Sequence, residues 1–342
     1  MLVVGGGPAG ATVALCLARQ GCSVALLEAT TYESPRYGET IPPEINPVLR
    51  ELGLWDPFVD LSPIEAPGRI VVWGDSRPVE VDFIANAHGS GWHIDRNAFD
   101  RMLTKEAEKA GAKVHLRQRI QTFSREDGLW NVEGWRSRIL VDASGRNGLR
   151  LGNVDREIDD RLVAIALSVS GTHHNREDLR TCIEATPSGW WYTAPLPHGI
   201  TIAMLFTDPL IYRQEGIVIG KELECAPLTA RRLESGLIQN SSVLPVASSC
   251  RTAAFGEGWL AVGDSACSYD PISGRGIFNA LRWATAASAA ITECLKENMA
   301  PTTRYASQVR LEYDEYVRQR RLYYASERRW PEHFFWSSRC QH

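Results

Sequence analysis

Two glycine clusters, each tied to a carboxylate, carry the chemistry that can be read first in this 342-residue chain. Near the start, "GGGPAG" sets Gly5, Gly7 and Gly10 in a G-x-G-x-x-G spacing around Pro8 and Ala9, and Glu28 follows 18 residues after Gly10. Far along the chain, "GDSACSYDPISGRG" puts Gly263 and Asp264 at the end of the apolar "WLAV" and brings Pro271, Gly274 and Gly276 just before a helical pattern. Glycines at these spacings let a ligand approach the backbone, and a helix opening behind them aims free N–H groups at phosphate. A carboxylate at the end of a strand suits sugar hydroxyls.

The elements needed to position these groups can be read around them. "MLVV" and "SVALLEA" read as strands, with a helix over Ala9–Arg19 between them. Gly5 makes the turn, Gly7 admits a pyrophosphate and Gly10 lets helix and strand pack closely, while Glu28 meets a ribose. A carboxylate there repels a 2′-phosphate, so the motif predicts FAD or NAD and does not choose between them. A nicotinamide dehydrogenase would continue in regular strand–helix–strand units. This chain instead runs through a loop "TTYESPRYGETIPPE", a helix "INPVLRELGLW", a hairpin over 68–84 and a helix "NAFDRMLTKEAEKAG". Strands follow around "AKVHL", "IQTFS", "LWNVEG" and "RILVDASG", and 162–206 is strand-rich again. Only "WLAV" and the long helix "IFNALRWATAASAAITECL" return to the first pattern.

Three separated motifs, "GGGPAG", "VDASGR" at 141–146 and "GDSACSYDPISGRG", together resemble the FAD-dependent monooxygenase superfamily with the p-hydroxybenzoate hydroxylase-type fold. The resemblance implies an α/β protein: an interrupted Rossmann-type FAD-binding domain, an antiparallel-sheet substrate domain and a C-terminal helical segment. The expected divisions are 1–60, 95–155 and 250–300 for FAD, 61–94 and 156–249 for substrate, and 301–342 for a helix with an aromatic tail. It further implies that Asp264 holds the ribityl hydroxyls, that the region of Pro271, Gly274 and Gly276 meets the flavin ring, and that Arg36 and Arg96 lie along the phosphates or ribose. The positive end of the helix from Gly276 would stabilise charge on the reduced ring.

Several branches of the superfamily compete. Tryptophan halogenases share the early loop, here "YGETIPP", but need a lysine some tens of residues later to handle hypohalous acid. This chain has no lysine before Lys105, and it lacks W-x-W-x-I-P. The halogenase branch is therefore disfavoured. "GWWYTAPLP" at 189–197 and "RLYYASERRWPEHFFWSSR" resemble the flavoproteins of tryptophylquinone cofactor biogenesis, which oxygenate a tryptophan of a partner protein. A small-molecule aromatic hydroxylase, an isoprenoid double-bond reductase and a non-catalytic FAD-bound assembly factor complete the alternatives. On the leading reading, Trp191 and Tyr192 wall an indole pocket and Glu39 is the acid or base. His93, His198 and Asp142 read as structural, and Asp270 as a cap for the turn at Pro271. Electrons would come from NAD(P)H or a separate flavin reductase.

Composition limits the partners. The formal net charge is −4, which offers no general attraction to nucleic acid or an anionic membrane. No run is long and apolar enough for a membrane span, and no basic segment precedes an apolar stretch as in a signal peptide. The eight cysteines include no C-x-x-C pair or zinc spacing, and single cysteines suit a reducing cytoplasm better than a disulfide framework. The shortness of the first strand leads to the expectation of a clipped start.

Overall fold

The computed structural model describes residues 1–152, 154–172, 178–214 and 216–340, the last by its backbone. Parts of the expected strand-rich stretch and of the tail, 173–177 and 341–342, lie outside these residues. Strands Leu2–Val4, Ala25–Leu27, Lys113–His115, Leu140–Asp142 and Trp259–Ala261 form a parallel sheet, with Leu2–Val4 between Leu140–Asp142 and Ala25–Leu27. Every residue of Leu2–Val4, Leu140–Asp142 and Trp259–Ala261 is buried, as befits strands covered by helices on both faces. The chain is α/β, with a Rossmann-type sheet whose strands come from three distant stretches of sequence.

Helix Pro8–Arg19 begins with proline at its first turn, where the missing N–H costs nothing. It packs beside Gly276–Cys294 and Arg96–Lys109. Arg96–Lys109 is capped by Asp95, whose carboxylate accepts from the N–H groups of Asn97 at 2.8 Å and Ala98 at 3.2 Å. The single helix expected over "INPVLRELGLW" is two, Ile45–Glu51 and Trp55–Val59. Gly53 between them has a left-handed φ of 60°, which no helix continues through.

A second sheet has seven strands, in the order Leu237–Pro245, Val163–Ser170, Ile200–Thr207, Gly189–Leu196, Thr181–Thr186, Gly68–Val72 and Val79–Asp82. Its pairings are antiparallel except between Thr181–Thr186 and Gly68–Val72. A small sheet of Thr40–Ile41, Gly91–His93 and Ile64–Ala66 holds the early loop. Helix Ala300–Ser326 and the short helix Phe334–Cys340 follow at the C-terminal end. Among the described residues, no helix is long and apolar enough to cross a membrane.

The cysteine expectation needs correction at one pair. Cys250 and Cys267 stand opposite each other on antiparallel strands and are joined by a disulfide. Pairing of two strands, invisible in the spacing, brings them together.

Candidate active site

The first glycine motif is built as a close contact. A Cβ on Gly10 would overlap the Gly5 carbonyl oxygen and stand 2.9 Å from the Ala143 side chain, so helix and strand touch only because neither residue has one. Gly7 differs, since a Cβ there would meet no protein atom within 4 Å. The same holds for Gly274 and Gly276. Neither helix Pro8–Arg19 nor helix Gly276–Cys294 has a side-chain cap at its N-terminus, so both present backbone N–H groups to the open side of these glycines. This is a cradle for an extended anionic ligand, and FAD fits it.

Glu28 ends its strand and is buried. Its carboxylate accepts from the Gly6 N–H at 2.7 Å, the Thr30 N–H at 2.9 Å and hydroxyl at 2.6 Å, and Arg36 at 2.8 Å. Arg36 also pairs with the buried Asp100 at 2.8 Å, which Arg96 reaches at 3.2 Å from both Nε and Nη2. Arg96 Nη1 donates as well to the Tyr37 carbonyl. Glu28, Arg36, Asp100 and Arg96 thus form one continuous ionic chain beside Gly6. Asp100 was not anticipated; its i,i+4 spacing from Arg96 on one helix was the available signal.

Asp264 lies in the turn Gly263–Ser265, one residue beyond Trp259–Ala261, and its carboxylate is 3.3 Å from Arg146 Nε. Arg146 belongs to "VDASGR", so the second and third motifs meet here. Asp142 of the same motif is a buried structural knot. It accepts from Ser144, from the Leu149 N–H at 2.8 Å and from Arg251 at 2.6 Å.

Asp270 caps the turn Pro271–Ser273 by accepting from the Ile272 N–H at 2.9 Å, as its position suggested. Its second oxygen accepts from the Tyr324 hydroxyl at 2.8 Å, and that hydroxyl accepts from Trp190 Nε1 at 3.0 Å. Burial, then the nearby Asp160 charge, pushes Asp270 up to about 6. Trp190 stacks on Phe206 with centroids 3.9 Å apart, within a cluster that includes Trp336. The C-terminal aromatic segment therefore ties itself to the turn before Gly274. No spacing in the sequence announces this.

Trp191 and Tyr192 do not share a pocket, which corrects their pairing as its two walls. Adjacent strand residues face opposite sides of a sheet. Trp191 is fully buried among Ile165, Leu167, Leu205 and Ala226, whereas Tyr192 packs with the Trp190 cluster on the other face. Tyr192 is partly exposed, and its hydroxyl is 2.7 Å from that of Thr40. Glu39, next to Thr40, is buried with neither carboxylate oxygen hydrogen-bonded. Burial pushes it up to about 7. His93 is buried and held by Thr40 and the Leu179 carbonyl, while His198 sits at the exposed turn between two strands.

With this geometry in view, a family profile described as tryptophan halogenase matches residues 76–342, and one described as an FAD binding domain matches 1–134. The chain belongs to the tryptophan halogenase family. It is an FAD-dependent oxidoreductase, and the expectation against the halogenase branch is corrected at the level of family. LodB of Marinomonas mediterranea, named "Putative FAD-dependent oxidoreductase", is 28% identical over 99% of this chain and 96% of its own length. A 1H-pyrrole-2-carbonyl-[peptidyl-carrier protein] chlorinase of Pseudomonas fluorescens is 27% identical over 87% of the chain and 76% of its own. Among solved structures, the myxobacterial chondrochloren halogenase CndH superposes with a TM-score of 0.89 at 23% identity, covering 100% of this chain and 85% of that one. The peptidyl tryptophan dihydroxylase QhpG does so with a TM-score of 0.77 at 23% identity, over 99% and 77%. At these identities the structural likenesses establish the fold.

Proposed function

We propose that this member of the family uses FAD to oxygenate an aromatic ring, with the indole of a tryptophan in a partner polypeptide as the substrate. The observation that carries the reading is the position of the lysines. All five, Lys105, Lys109, Lys113, Lys221 and Lys296, are exposed, so none offers a buried amine beside a ring to handle hypohalous acid. The full-length match to LodB supports FAD-dependent redox chemistry, and the likeness to a peptidyl tryptophan dihydroxylase supports the tryptophan substrate.

Bound FAD would supply the activation of O₂ and the electrons for it, delivered by NAD(P)H or a separate flavin reductase. The chain's own residues do the rest by binding and orientation. Gly7, Pro8, Ala9 and Gly10 would take the pyrophosphate, with Glu28, Arg36 and Arg96 toward the adenosine end. Asp264 would hold the ribityl hydroxyls, and Pro271, Gly274 and Gly276 would border the ring. Glu39, a carboxyl titrating near neutrality beside Tyr192, can hold or release a proton at a reacting ring.

Halogenation is the second reading, favoured by the family match and by the named relatives that are halogenases. One experiment separates the two. Reduced, FAD-loaded protein is given O₂, chloride, bromide and either a tryptophan-bearing polypeptide, free tryptophan or a small phenol, and products are weighed by mass spectrometry. Gain of oxygen on the polypeptide-borne indole supports the proposal. Replacement of hydrogen by halogen overturns it in favour of the second reading, and oxygenation of the phenol alone makes the protein a small-molecule hydroxylase.

A further inference from the structure

One backbone carbonyl sets the direction of a buried hydrogen-bond chain. His93 Nε2 is 2.7 Å from the Leu179 oxygen, which can only accept, so Nε2 carries the proton. Burial pushes His93 down to about 4, so the ring is neutral near neutral pH and Nδ1 is bare. The Thr40 hydroxyl, 2.8 Å from Nδ1, must donate to it. That uses its only proton. Tyr192, 2.7 Å from Thr40 Oγ1, therefore donates to Thr40 and keeps only lone pairs for any other partner.

Glu39 adjoins this chain. It directly precedes Thr40 in sequence, its side chain is buried, and neither of its oxygens is hydrogen-bonded. Buried acceptors without donors are costly, and the cost is relieved when a ligand brings the donor.

We propose that Glu39 and Tyr192 form an acceptor subsite for an N–H or O–H group on the aromatic substrate, with His93 and Thr40 as positioning residues that hold Tyr192 in its accepting orientation. The identity of that donor as an indole N–H rests on the function proposed above. A flavin N–H or ribityl hydroxyl has the same chemistry, so the test must separate the two sources.

FAD-loaded protein is titrated with indole and with 1-methylindole, which keeps the ring and lacks the N–H. Wild type should prefer indole by about tenfold or more, the scale of a hydrogen bond to a buried charged group. Thr40→Val should reduce that preference and leave 1-methylindole affinity unchanged, and Thr40→Ser should restore it. A purely structural role would weaken both ligands together. Equal binding of the two ligands by wild type, failure to bind either, or equal loss of both in Thr40→Val overturns the subsite. So does a Thr40→Val variant that loses FAD while keeping the indole preference, since the donor is then the cofactor's. Oxygenation is scored separately. Oxygenated polypeptide without an N–H preference sinks only the subsite, and a preserved preference without product sinks only the proposed reaction.

Discussion

Ala9 and Gly263 meet across the two glycine motifs: a Cβ on Gly263 would stand 2.7 Å from that of Ala9. Residues 254 positions apart are thus held in van der Waals contact where the helix after the first motif meets the turn carrying Asp264. Gly263 also has a left-handed φ of 61°. Gly263→Ala should therefore cost about 1–2 kcal/mol from the backbone alone, with further loss from the crowded contact. Thermal unfolding and an FAD titration should both worsen. An unchanged Tm with unchanged FAD affinity would mean the contact is slack.

The carboxylates at the two strand ends separate in effect. Asp264 is paired with Arg146 in a half-open turn, and Asp264→Ala should lower FAD affinity by about ten- to hundredfold by removing a charged acceptor for hydroxyls. Glu28→Ala should lower it too, and should also destabilise the apoprotein, because four donor groups on Gly6, Thr30 and Arg36 lose their acceptor. Equilibrium dialysis with FAD and urea unfolding of apoprotein read the two effects. Both variants retaining wild-type FAD affinity would move the cofactor elsewhere.

Trp191 offers a clean contrast with Tyr192. Trp191→Ala removes a fully buried side chain from a closed apolar cluster and should cost about 3–5 kcal/mol of stability. Tyr192→Phe removes one hydroxyl and should leave the fold nearly intact while impairing turnover. Urea midpoints against turnover of each variant test this. A Trp191→Ala protein of normal stability and poor turnover would return Trp191 to the substrate pocket.

The pH dependence of stability should carry two opposed contributions. Glu39, raised to about 7, binds its proton more tightly folded than unfolded, so its contribution is fully present below its ordinary value and lost as pH rises toward 7. His93, lowered to about 4, works the other way: its contribution is present above about 6.5 and lost as pH falls toward 4. Apoprotein unfolding from pH 4 to 8 should show Glu39→Gln gaining stability relative to wild type as pH rises, by up to about 3 kcal/mol. His93→Asn should lose relative stability less steeply than wild type on acidification. A pH-independent difference between Glu39→Gln and wild type would show that Glu39 is solvated.

Local rules made the cofactor half legible. The turn at Gly5, the proline-started helix, the acidic strand end at Glu28 and the cap at Asp270 are each set within a few residues, so spacing alone displays them. The substrate half was not legible in that way. Gly189–Leu196 is buried along both faces, so its sequence has no apolar–polar alternation to say which side Trp190, Trp191 and Tyr192 each meet. Pairing and the layers packed on the sheet decided that, sending Trp191 into one cluster and Tyr192 toward Thr40, 152 residues away in sequence. The bond from Tyr324 to Asp270 and the orphaned carboxylate of Glu39 have the same origin. Burial and partnership between distant segments are properties of tertiary packing, and no single segment encodes them.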